Sequence, residues 1–356
     1  MAIFRSLWLS YVADWIVVIL FAAAGGVLNR INGFHRPFSV QDASIAFPLK
    51  NDIISLPVVA IVSAIGPAAV IGVLSATSAL LRRRRRAQAS STLFARSAAW
   101  ELQVGWLGLA FALATTLFVT SGLKDMVGKP RPDLLARCHP DLANLESYIV
   151  GGFGTRLDSD APPLVSSAIC MQANKKVLDD GFAAFPSGHS SFSCAGMVYL
   201  SLWLCAKWAV AIPVLGRYSQ PRAEARTNEA SPPLWQVAVC MAPIGVALFI
   251  CSTRYADFHH AGVDIIAGAI LGTVLAWSSF RLFHLPVRRG SGLLAWGPRS
   301  PHQAFLAGNG ALRKLHDEEQ ARDAAGYELR DTPHTIRGPS GSSHEPIIEH
   351  AGGQQF

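Results

Sequence analysis

Charge is scarce in this chain. Only 15% of its 356 residues are Asp, Glu, Lys or Arg, while 51% are hydrophobic; soluble domains carry about 25% charged residues. That balance excludes a disordered or collagen-like chain and fits a soluble enzyme poorly. Acidic residues are the scarcer sign, 24 against 31 Lys plus Arg, leaving a net charge of +7. A basic excess suits either nucleic acid or a membrane surface, so the positions of the charges decide between them. No Asn-x-Ser/Thr sequon and no internal repeat occur.

What is present is a set of six long apolar runs: about Leu9 to Leu28, Ile53 to Leu81, Val104 to Leu123, Ser190 to Leu215, Leu234 to Cys251 and Ile265 to Phe283. Each is near the roughly 17 to 25 residues that cross a hydrocarbon core as a helix, and a backbone in lipid has to satisfy its own hydrogen bonds. The runs predict an all-α, polytopic membrane protein with six transmembrane helices over residues 1–284. Buried helices of a large soluble protein are the competing reading, but so many long runs rarely share one soluble domain. Ala22 to Gly25 resemble a signal-peptide cleavage site; the length of the first run favours an uncleaved anchor.

Orientation follows from the arginines. Arg82 to Arg86 stand in a row after the second run, with Arg96 beyond and no acidic residue before Glu101, which marks that loop as cytoplasmic. Alternation then puts both termini and the 216–233 loop in the cytoplasm. Segments 29–52, 124–186 and 252–264 fall on the outer or lumenal side. Nucleic-acid binding by the arginine run is a weak alternative, because no aromatic interleaving or binding fold accompanies it. Residues 285–356 are rich in Gly, Ser, His and Pro and carry eight basic and eight acidic side chains. They read as a mostly disordered cytoplasmic tail, with a short helix around 304–325. Cys194, Cys205, Cys240 and Cys251 lie in or beside apolar runs as small packing residues. Cys138 and Cys170 share the 124–186 loop, where an oxidising compartment would permit a disulfide whose geometry the sequence leaves open.

Polar groups gather at three helix ends that this topology puts on one side. Lys124 to Asp133 follow the third run, Phe185 to Ser191 open the fourth, and Ser252 to Asp264 join the fifth and sixth. Lys124, Arg131 and Arg254 supply cations, and guanidinium forks match phosphate oxygens. Pro186-Ser187-Gly188-His189 opens a helix, whose unpaired N–H groups and positive dipole end attract an anion. His260 and Asp264 are four apart, so at a helix start the carboxylate can orient the imidazole as a nucleophile or base. His189 is the second imidazole, suited to protonating a leaving oxygen. Lys129 and Arg137 read as snorkelling anchors, and His259 as an interfacial neighbour of the catalytic group. A metal site of His189, His260, Asp257 and Asp264 is the alternative reading; three cations in the same place would repel a dication.

These residues carry a resemblance. Lys124 to Pro132 fits K-x6-R-P, Pro186 to His189 is P-S-G-H, and Arg254, His260 and Asp264 fit S-R-x5-H-x3-D, with Thr253 where the family has Ser. The set resembles the type 2 phosphatidic acid phosphatase superfamily and its lipid phosphate phosphatase branch. Gly128 to Asp133 followed by Cys138 is similar to fungal and plant diacylglycerol pyrophosphate phosphatases. The resemblance covers about residues 8–284. It implies attack on phosphorus by His260, orientation by Asp264, acid catalysis by His189, and a phosphate cradle of Lys124, Arg131, Ser187, Gly188 and Arg254. It also implies that Asp257 holds Arg254, that no metal or cofactor takes part, and that the partners are a lipid phosphate and the bilayer, with no nucleic acid. Within the superfamily, a sphingoid-base or isoprenyl phosphate phosphatase or a head-group transferase fits the same motifs. A transporter would hold its ionisable groups near mid-membrane, and a non-catalytic scaffold would have lost a motif histidine or arginine.

Overall fold

The computed structural model describes residues 2–85, 91–152, 162–208, 210 and 233–284. The expectations for the tail, its short helix and most of the 216–233 loop lie outside these residues.

Helix α1 spans Ala2–Leu28. Helix α2, Leu56–Ala60, starts with a proline in its first turn, where a missing N–H costs nothing. It continues through a π-helical turn, Ile61–Ile65, into α3, Gly66–Arg85. Helix α4 is Ser91–Val127, α5 Leu134–Cys138 and α6 Lys175–Gly181. Helices α7, Gly188–Lys207, α8, Leu234–Ala256, and α9, Gly262–Phe283, complete the bundle. The only sheet among the described residues is an antiparallel pair, β1 Ile149–Gly151 with β2 Leu164–Val165.

Among the described residues, five segments are long and apolar enough to cross a membrane: Trp8–Leu28, Leu56–Ser78, Ala99–Val127, Leu234–Ala256 and Gly262–Phe283. Side chains such as Ile19, Leu20, Phe249, Ile270 and Trp277 are left exposed on their outer faces, the surface lipid would cover and water would not. The chain is an integral membrane protein. The fourth expected span is α7, which is not one of the five. It is 20 residues long, opens on His189, Ser190 and Ser191, and ends at Lys207 rather than near Leu215. Its polarity has a structural cause, because it is the enclosed centre of the bundle, packed by α4, α8 and α9.

The core formed there joins Ile71, Leu109, Leu113, Tyr199, Trp203 and Phe280. Backbone approach between α7 and α9 is close enough to need glycine. A Cβ on Gly272 would overlap the Ser191 carbonyl oxygen, and one on Gly268 would meet the Ser187 carbonyl oxygen at 2.5 Å. Gly272→Val is therefore expected to cost about 1–3 kcal/mol by overpacking, read as a lower unfolding midpoint in detergent micelles. Gly245→Ala on α8, with open space at its Cβ, is expected to leave the midpoint within about a degree.

Residues 29–55, 128–152 and 162–187 form a cap with a second core of Phe38, Ile45, Leu134, Val165, Ile169 and Phe182. Cys138 and Cys170 are joined in a disulfide within it, with Cα atoms 4.6 Å apart. The pairing that sequence left open is thus present, and it ties the end of α5 to the residue that closes the 3-10 turn Ser167–Ile169, ahead of α6.

Candidate active site

Three helix ends and the cap converge on a cavity of about 1010 Å³. Lys124 comes from the last turn of α4. Gly128, with φ 57°, then turns the chain toward the cap beneath the Phe34 carbonyl; only glycine fits such an approach at positive φ. That turn delivers Arg131. The cis Phe185–Pro186 bond leads into α7, which contributes Gly188 and His189. Arg254 ends α8, and His260 lies in the short link before α9. Lys124, Arg131, Gly188, His189, Arg254 and His260 all line the cavity.

Arg254 is the most constrained of these, 1% exposed. Its Nη2 donates to Asp257 Oδ2 (2.6 Å) and the Ile54 carbonyl (3.1 Å), Nη1 to Asp52 Oδ1 (2.7 Å), and Nε to Thr253 Oγ1 (3.3 Å). Thr253 thus supplies the hydroxyl that the family's serine would. The Asp257–Arg254 pairing expected from the resemblance is present, and His189 Nε2 lies 3.4 Å from Nη1. Arg131 Nη2 donates to Asp180 Oδ1 (2.6 Å), and its Nε has no hydrogen-bond partner among the described residues. Lys124 forms no ion pair among the described residues, and its Nζ lies beside Gly188.

His260 is 3% exposed, and its Nδ1 is 2.8 Å from the Ala184 carbonyl oxygen. A carbonyl can only accept, so Nδ1 carries the proton and Nε2 keeps its lone pair. Burial pushes the imidazole well below its ordinary value of 6.5, and the charges of Arg131 and Lys124 push it further. The ring is neutral at physiological pH.

Four expectations need correction. Asp264 does not hydrogen-bond His260. Its Oδ1 accepts from Lys129 Nζ (2.7 Å) and its Oδ2 from the Ala261 N–H (3.1 Å), because it caps the first turn of α9 instead of facing across it. Lys129 is therefore the ion-pair partner of a fully buried carboxylate, not a snorkelling anchor. Arg137 is likewise no anchor: it is 6% exposed and held by Asp133 (2.8 Å) and Asp180 (2.9 Å). Ser187 is buried behind the cavity wall; its Oγ accepts from Ser190 Oγ (3.1 Å) and its N–H donates to the Asp264 carbonyl (3.0 Å). The last bond ties the start of α7 to the start of α9.

Sequence reasoning missed Asp52 and Asp180, which lie in the connecting segments outside any motif, and gave Asp133, at the end of the first polar cluster, no role. Burial alone would raise Asp180, but Arg131, Arg137 and Lys124 outweigh it and hold the carboxyl below its usual range. Asp52 is lowered for the same kind of reason, the hydrogen bond and charge of Arg254 exceeding the effect of burial. Phe258, at φ 61°, stacks on Phe47 at 4.8 Å. This left-handed residue aims His259 and His260 inward, and strain of this kind collects at functional sites. Asp52, Asp257 and His259 have the composition of a metal-binding group, but both carboxylates already serve Arg254, whose charge would oppose a cation.

Membrane-length helices define an integral membrane protein, and their ends bring three cations, a helix N-terminus and two imidazoles around one cavity. Residues 105–288 match the PAP2 superfamily. That is just over half of the chain, which belongs to this family. It is similar to "Lipid phosphate phosphatase 2" of Arabidopsis thaliana, 29% identical over 82% of both chains. It is 32% identical to "Diacylglycerol pyrophosphate phosphatase 1" of Saccharomyces cerevisiae over 52% of this chain and 54% of that one. With the "Probable diacylglycerol pyrophosphate phosphatase 1" of Schizosaccharomyces pombe it shares 30% identity over 71% and 74%. No solved structure matches the chain.

Proposed function

We propose that this protein is an integral membrane lipid phosphate phosphatase, which releases the terminal phosphate of phosphatidic acid, lysophosphatidic acid or diacylglycerol pyrophosphate without a metal ion. The observation that carries the reading is the Ala184 carbonyl on His260 Nδ1, which leaves Nε2 as a nucleophile on the cavity lined by Lys124, Arg131 and Arg254.

His260 Nε2 attacks phosphorus and the ester P–O bond breaks. His189 gives its proton to the leaving oxygen, so a neutral diacylglycerol or phosphate-bearing product departs. His189 then takes a proton from water, whose oxygen displaces the imidazole and frees inorganic phosphate. Lys124, Arg131, Arg254 and the Gly188 N–H face the equatorial oxygens, where charge builds in the transition state. Ser187 and Asp264 act from behind, since their mutual backbone bond and the Lys129–Asp264 pair fix His260 relative to His189. Acyl chains remain in the bilayer while the head group reaches the helix ends. Six spans, with α7 as the fourth, put this surface on the lumenal or outer side of a cell or organelle membrane. The cap's disulfide supports that side, because such bonds persist in oxidising compartments.

Purified protein in detergent micelles, with excess chelator and a panel of glycerol-, sphingoid- and isoprenyl-based phosphates, tests the reading. Phosphate release from the glycerolipids is expected in chelator; activity lost there and restored by zinc would overturn the metal-free mechanism. The state of His260 gives a pH prediction. Its lowered proton affinity keeps the nucleophile neutral below 6.5, so transfer of phosphate to the enzyme at pH 5.5 is expected to keep more than about half of its pH 7 rate. A single-turnover profile with a midpoint near 6.5 would contradict it. For folding, below about 6.5 the unfolded imidazole binds a proton that the folded one does not, so stability is lost as the pH drops below that value and rises again as it increases.

A further inference from the structure

Both arginines of the cradle are already in contact with carboxylates, and these carboxylates are of two kinds. Asp257 and Asp133 are 1% and 0% exposed, shut away as fixed counterions of Arg254 and Arg137. Asp52 and Asp180 keep 41% and 46% of their side chains exposed, line the cavity, and belong to the cap and its connections. Asp52 occupies Nη1 of Arg254, the nitrogen that also lies 3.4 Å from His189 Nε2. Asp180 occupies Nη2 of Arg131. The donors that a phosphoryl group needs beside the two histidines are held by protein oxygens.

Resting on the lipid phosphatase reading, we propose that Asp52 and Asp180 are displaceable stand-ins for phosphate oxygens, which make the site select a phosphate with two charges over a phosphodiester with one. A phosphomonoester dianion offers three terminal oxygens and two charges, enough to replace both carboxylates at once. A diester offers two free oxygens and one charge, and leaves one carboxylate facing it as a like charge. Discrimination by a built-in repulsive group is the economical solution when the competitor is abundant, and in a bilayer the site is surrounded by diester head groups. Lys124 lines the same cavity without an ion pair among the described residues, a cation that no carboxylate of the cap occupies. Asp52 and Asp180 are positioning residues in this scheme, since they never touch the reacting atoms once phosphate is bound.

The test uses the full chain in detergent micelles hydrolysing phosphatidic acid, with inorganic phosphate and phosphatidylglycerol as inhibitors. Asp52→Asn keeps the shape and removes the charge. It is expected to lower the inhibition constant of inorganic phosphate by about tenfold or more and to strengthen inhibition by phosphatidylglycerol, while Asp52→Glu keeps the wild-type values. Asp180→Asn is expected to move both constants the same way, and decides the matter if Asp52→Asn does not fold. Weaker or unchanged inhibition by phosphate in the charge-free variants would overturn the proposal, leaving the carboxylates as supports for the arginines. A wild-type protein that hydrolyses no lipid phosphate and is not inhibited by phosphate would overturn the phosphatase reading and this inference with it.

Discussion

Replacing His260 with alanine is expected to lower phosphate release by about 10⁴-fold or more, the scale seen when a covalent nucleophile is removed. No nearby group can substitute. His189 faces Arg254, and His259 lies 3.7 Å from both Asp52 and Asp133, on the carboxylate side of the network. The Ala184 carbonyl would lose its donor, at a cost of about 1–3 kcal/mol, so unfolding is measured alongside activity. The stronger evidence is chemical. Brief exposure of the wild-type protein to labelled substrate is expected to trap acid-labile, base-stable phosphate on the peptide containing His260. Label on the peptide containing His189, or full activity in His260→Ala, would reverse the assigned roles.

Arg254→Lys is expected to produce the second large loss, and in two currencies at once. The guanidinium binds Asp257, the Ile54 carbonyl, Thr253 and Asp52 in one plane; a lysine ammonium cannot span those directions. Breaking a pair in which both partners are 1% exposed is expected to cost about 3–5 kcal/mol, visible as a lower midpoint in thermal unfolding. Because the same fork faces the cavity, kcat is expected to fall by about 10²–10³-fold even at temperatures where the variant is folded. A lysine variant with wild-type kcat would mean that Arg254 supports the fold alone.

Sequence carried the motif residues because their chemistry is local. Lys124, Arg131, Gly188, His189, Arg254 and His260 do line one cavity, and the runs of apolar residues were legible as helices. Two kinds of information were not. The π-turn at Ile61–Ile65 and the enclosure of α7 by α4, α8 and α9 depend on how the helices pack, and a hydropathy run does not say what surrounds it. Charge pairing was the other gap. A spacing of four between His260 and Asp264 matches one helix face, yet Asp264 is the third residue of α9 and His260 precedes the helix, so the face they would share does not exist. Lys129, Arg137, Asp52 and Asp180 find partners 43 to 202 residues away, a relation no local pattern encodes.

The bond from the Ser187 N–H to the Asp264 carbonyl has a consequence for how far mutagenesis can reach. It sets the first turns of α7 and α9 side by side, with the amino end of α7 at the cavity, where Gly188 and His189 line it. The end of α9 is already capped by the Asp264 carboxylate, but that of α7 presents about half a positive charge from its peptide dipoles. That charge has no side chain to delete and no proton to lose. Even a variant stripped of Lys124, Arg131 and Arg254 would retain an anion-attracting end of α7 written into the backbone, whose charge does not change with pH.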